Sequence, residues 1–180
     1  MIRSKYKQEI RGNPGDCYIA CILYVLKRKY GIETNVLTQK DIFVKGILKA
    51  KATFFMGSLN EIAKKFSRPI QVLISNKQQV KAAAGEISSD NLNAYLSVLD
   101  LEAVEDLIDK NDYIVLSVDR YVIYPYYHDY FFVSISKKNG GYEAMEPFSG
   151  KSLHLNKNQL EEYVYSTREN LDDTAVAIVI

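Results

Sequence analysis

The chain has no tryptophan, only two cysteines and two histidines among its 180 residues, and no excess of either charge. Each scarcity excludes something. With 23 basic against 22 acidic side chains, the net charge of +1 creates no field that would draw the protein to nucleic acid or an anionic membrane. No window approaches the roughly 18 apolar residues of a membrane-spanning helix. The N-terminal stretch MIRSKYKQEIRGNPGD has no apolar core like that of a signal peptide. Cys17 and Cys21, four residues apart, are too few and too local for a disulfide framework, so reduced thiols and a cytoplasmic setting are expected. Those two cysteines and two distant histidines, His128 and His154, lack the paired spacing of a zinc site. The glycines form neither a phosphate loop nor a dinucleotide fingerprint. Neither a metal nor an organic cofactor is expected.

What is present predicts a single α+β domain over 1–180, helical over about 14–110 and an antiparallel sheet over about 111–180. Pro14, Gly15 and Asp16 form a turn and cap before a helix that starts at Cys17 and stops at Tyr30-Gly31. A second helix is expected to open with a capping box at Thr38 and Asp41, and a third at Ser58. PIQVLIS from Pro69 reads as a strand. The stretch from Gln78 to Lys110 reads as helix-rich, broken over 85–90 and capped again at Asp100. From Asp112 the period shortens: YIVLSV, DYFFVSIS, the turn KKNGG, YEAMEP and KSLHL read as successive strands. A short helix capped by Asn156 follows, and then TAVAIVI, an uncharged strand apt for a central or well-covered position in the sheet.

A thiol attacks a carbonyl as thiolate, and a helix N-terminus offers free N–H groups and a positive dipole end that favour one. Cys17 sits at such a place; Cys21, one turn on, reads as core. A cysteine nucleophile also needs an imidazole, and His128 leads a strand on which His128, Tyr130, Phe132 and Ser134 share a face. Glu146, ending YEAMEP, is brought back toward His128 through the KKNGG hairpin and is the candidate to orient the ring. The helix-start N–H groups are the candidate oxyanion donors.

The segments GDCYIACILYVLKRKYG, HDYFFVSI and EAMEPFSGKSLHLNKNQLEEYV occur in the order seen in the papain-like peptidases that process bacteriocins after double-glycine leaders, and in their wider C39-like relatives. The chain resembles that family at both ends; 32–110 matches nothing in it. Tyr18 stands where the family has glycine, Glu146 where it has aspartate, and His128 about two residues earlier than the family spacing. The resemblance implies a papain-like fold, a Cys17–His128–Glu146 triad and an oxyanion amide shortly before the cysteine. Arg11 stands at about that position, so Asn13 or Gln8 would substitute, Asn13 being the nearer. The reaction would be acyl transfer through a thioester, on a peptide or a small amide or thioester substrate. Two alternatives stay open: a non-catalytic module binding a peptide or protein through its tyrosines, six of which fall from Tyr113 to Tyr130, and a small-molecule acyltransferase.

Overall fold

The computed structural model describes residues 14–50, 55–170 and 174–180, with the backbone alone at 14 and 168–170. A 3-10 turn at Pro14–Asp16 runs directly into α1 (Cys17–Tyr30), which closes on Gly31 in the left-handed conformation at φ 67°. Then come α2 (Val36–Lys49), α3 (Met56–Phe66), β1 (Ile70–Ile74), α4 (Lys77–Ala84), β2 (Leu92–Leu96) and α5 (Leu101–Asn111). The chain continues through β3 (Tyr113–Asp119), β4 (Tyr130–Lys138), β5 (Gly141–Glu146), β6 (Lys151–Leu155), α6 (Lys157–Asn170) and β7 (Val176–Val179).

Local chemistry sets most of these limits. Asp100 accepts the Ala103 N–H at 2.9 Å and starts α5. Asn156 and Gln159 exchange hydrogen bonds, each 3.0 Å, and start α6. The start of α2 differs from the expectation: Asn35, not Thr38, is the cap, and its side chain accepts the Thr38 N–H at 3.0 Å. Helix α3 likewise starts two residues before Ser58. The two helices cross at glycine, because a Cβ on Gly46 would lie 2.6 Å from the Ser58 backbone nitrogen, and one on Gly57 only 2.1 Å from the Gly46 carbonyl.

All seven strands form one sheet in the order β2-β1-β7-β3-β4-β5-β6, and only β1 and β2 pair in parallel. The sheet is therefore not confined to 111–180, and the expected division into a helical and a sheet part is too sharp. Strand β2 was not anticipated, and the reason is physical: it is an edge strand in which Leu92 alone is buried, so no alternation marks it. Strand β7 lies between β1 and β3 with every residue buried, the place its uncharged sequence suits.

Register assigns each residue a face. Ser117 is opposite Phe132 and Asp119 opposite Tyr130, so Val115, Ser117, Asp119, Tyr130, Phe132 and Ser134 share one side of the sheet. Helix α1 covers that side, with Tyr18 edge-on to Phe132 at 5.8 Å and Tyr24 edge-on to Tyr113 at 6.4 Å. Ile114, Leu116, Val118, Phe131, Val133 and Ile135 face the other way, beneath α5 and α6, and both layers are almost fully buried.

Candidate active site

Cys17 is the first residue of α1, as expected, but its sulfur is sealed: the residue is 1% exposed. Ladder parity explains what it touches. Arg120 N–H bonds to the Asp129 carbonyl, so alternate pairs of β3 and β4 are hydrogen-bonded and the Phe132 peptide groups point away from β3, toward β5. There β5 has already ended, since its last pairing with β4 is Met145 with Ser134 and Pro147 follows shortly after. The two thiols take the place of the missing strand. Cys21 Sγ donates to the Phe132 carbonyl at 3.3 Å, and Cys17 is hydrogen-bonded to the Phe132 backbone.

The electrostatic outcome opposes the simple helix-start argument. Burial pushes the Cys17 thiol up to about 12, and the neighbouring Asp16 carboxylate adds to the rise, while the hydrogen bond to Phe132 partly offsets them. Desolvation thus outweighs the helix terminus, and the thiol is protonated at rest. Cys21, fully buried, is also raised well above an ordinary thiol, by burial first and by the Cys17 and Glu146 charges after it.

His128 lies just before β4 and is half open, with its side chain 54% exposed. Its Nδ1 is 2.8 Å from Oδ2 of Asp119, a carboxylate with no exposure at all. The other Asp119 oxygen accepts the Tyr121 N–H at 3.0 Å and the Asp129 N–H at 3.3 Å, which ties both ends of the 120–129 loop to one carboxylate. Tyr121 lies flat against the imidazole, with centroids 4.6 Å apart and planes within 6°. An ionised carboxylate only accepts, so Nδ1 carries the proton and Nε2 is left free to take one.

Glu146 does not orient His128. The register that pairs Met145 with Ser134 puts Glu146 on the α6 side of the sheet, the face opposite Asp119 and Cys17. Its carboxylate accepts the Phe148 N–H at 2.6 Å and the Ser149 N–H at 2.7 Å, closing the turn into β6. The same carboxylate bonds the Tyr124 hydroxyl; burial and that charge push Tyr124 up to about 12. Asp119 is the residue sequence reasoning missed. Its signal was the register itself, because pairing YIVLSVD antiparallel to HDYFFVS brings the terminal aspartate back beside the histidine.

Cys17 and His128 occupy the same end of the sheet without a hydrogen bond between them among the described residues. The sulfur reaches Phe132, four residues past His128, which corresponds to roughly 13 Å of extended chain. Tyr130 stands between them on the same face and donates its hydroxyl to the Thr174 carbonyl at 3.2 Å. Asn13, the expected oxyanion side chain, lies outside the described residues. No protein-family model, curated protein or solved structure matches the chain. Among the described residues, no helix is long and apolar enough to cross a membrane.

Proposed function

We propose that the chain is a papain-like, C39-like cysteine hydrolase, acting as a peptidase or amidase, in which Cys17 is the nucleophile, His128 the base and Asp119 the carboxylate that orients it. The observation that carries this reading is the Asp119–His128 pair: a fully buried acid grips one ring nitrogen of a half-exposed imidazole and leaves the other open, at the sheet end where a helix presents a cysteine. In the reaction, His128 Nε2 takes the Cys17 proton and the sulfur forms a bond to the substrate carbonyl carbon. The N–H groups at the start of α1 stabilise the oxyanion. The tetrahedral species collapses to a thioester as His128 returns the proton to the leaving amine. Water, deprotonated by the same nitrogen, then releases the acid and restores the thiol. Because the thiol is sealed against Phe132 at rest, reaction and alkylation both proceed through a minor form in which it is lifted off that strand.

Alkylation of Cys17 in a Cys21→Ser background, followed by mass spectrometry across neutral to alkaline pH, tests this. The reading expects an alkylation component near neutral pH that disappears in His128→Ala and is weakened in Asp119→Asn. A rate that rises tenfold per pH unit throughout and ignores His128→Ala sinks it. That outcome is the one expected if the chain is a non-catalytic peptide-binding module. The motivating observations for that second reading are the sealed, protonated thiol and the exposed ring surface of Tyr121, Tyr126 and Tyr127.

A further inference from the structure

We propose that Arg120 docks an anionic group, a carboxylate or a phosphate, on the molecule that reaches His128. The guanidinium carbon lies 5.2 Å from the ring centroid of Tyr124, 4.9 Å from that of Tyr127 and 5.2 Å from that of Phe148. Three aromatic rings therefore fix it in place. Among the described residues its buried Nε has no hydrogen-bond partner and Arg120 forms no ion pair. Two of the neighbouring acids, Asp119 and Glu146, are committed elsewhere. Asp119 holds His128 and two loop N–H groups, and Glu146 holds two turn N–H groups and the Tyr124 hydroxyl.

An arginine normally finds a carboxylate or keeps its donors in water. This one has given up water at Nε and gained only ring faces, which attract its charge but accept no planar fork of N–H donors. The unfilled requirement is an oxyanion. The guanidinium lies on the α6 side with Tyr124 and Phe148. The 120–129 loop at that end of the sheet ties it to the site: Arg120 N–H bonds to the Asp129 carbonyl at 2.9 Å, and Tyr127, against the guanidinium, precedes His128. With its side chain already ordered by the rings, the guanidinium loses little freedom on binding. That the bound anion belongs to a substrate rests on the hydrolase reading; that Arg120 binds an anion does not.

The test is a titration of the whole protein with inorganic phosphate and, separately, with acetate, at ionic strength held constant by sodium chloride. The arginine Nε–H and histidine ring resonances are followed by NMR in wild type, Arg120→Gln and Arg120→Lys. Saturable shifts at Arg120 and His128 are expected with at least one anion. Affinity should fall about tenfold or more in Arg120→Gln, and also fall in Arg120→Lys, which keeps the charge but loses the fork. Saturation by phosphate alone identifies a phosphorylated ligand, and saturation by acetate a carboxylate. Shifts that stay linear for both anions in the wild type overturn the proposal, as does unchanged affinity in either variant. The Cys17 alkylation measurement on the same protein separates the two readings, since Arg120-dependent anion binding together with Cys17 alkylation that ignores His128→Ala refutes the hydrolase and keeps Arg120.

Discussion

Cys17 and His128 meet opposite conditions at one end of the sheet. The cysteine is dry, held by a strand backbone that lacks its own partner, and its proton is retained. The histidine is half in solvent and held by a single buried carboxylate. A buried acid costs free energy unless its lone pairs are filled, and among the described residues all the partners of the Asp119 carboxylate come from the loop that carries the imidazole. In the proposed hydrolase, the proton-accepting half is thus assembled at rest, whereas the nucleophilic half is stored. That difference locates any activation step in the α1–β4 contact rather than in the 120–129 loop.

The largest effect that sharpens this contrast concerns the stored thiol. With its pKa moved from 9.0 to about 12, Cys17 in the His128→Ala protein holds about 1000-fold less thiolate at mildly alkaline pH than the same residue in urea-unfolded chain. Alkylation should be slower by orders of magnitude. Any excess rate in wild type measures the imidazole route. The sign of the linked stability follows: folding favours the protonated thiol, so this contribution is complete below pH 9.0 and is lost as pH rises toward about 12. Urea midpoints measured through that range should fall more steeply in wild type than in Cys17→Ala.

Next in size is Asp119→Ala, which removes the acceptor of two loop N–H groups and of the imidazole. Unfolding free energy should drop by about 3 kcal/mol, and the His128 ring should lose its fixed orientation in NMR relaxation. Glu146→Ala should cost less, about 1–2 kcal/mol from the freed Phe148 and Ser149 N–H groups. It should also let the Tyr124 hydroxyl titrate at lower pH while leaving the His128 resonances in place. A His128 response to Glu146→Ala as large as that to Asp119→Ala would break the assignment of the two acids.

The contrast between those acids also marks how far the sequence carries. Spacing and composition alone locate α1 and its Gly31 stop, the Asp100 and Asn156 caps, the KKNGG hairpin and the central β7, because each is written within a few neighbouring residues. Glu146 was misassigned by one step of parity. The hairpin does return it toward the start of β4, yet side chains alternate, and a residue one place off the pairing axis lies across the sheet. Asp119 and the Phe132 backbone depend on pairing between strands separated by a ten-residue loop. Whether Cys17 is a thiolate or a thiol was not legible either, since the helix start is local but the burial that overrides it comes from packing across the chain.

The smallest expected effect is the most discriminating for how the exposed half works. Tyr121 is 44% exposed and stacks on His128 through one ring face, so Tyr121→Ala should cost only about 0.5–1 kcal/mol. The Tyr121 backbone N–H that binds Asp119 stays in place, so the Asp119–His128 hydrogen bond survives and only the lateral support of the ring is removed. If catalysis draws on a preset imidazole, the His128-dependent part of Cys17 alkylation falls severalfold in this variant while the unfolding midpoint barely moves. If that rate is unchanged although His128 ring motion increases, the carboxylate alone sets the imidazole, and the tyrosine serves the surface rather than the proton transfer.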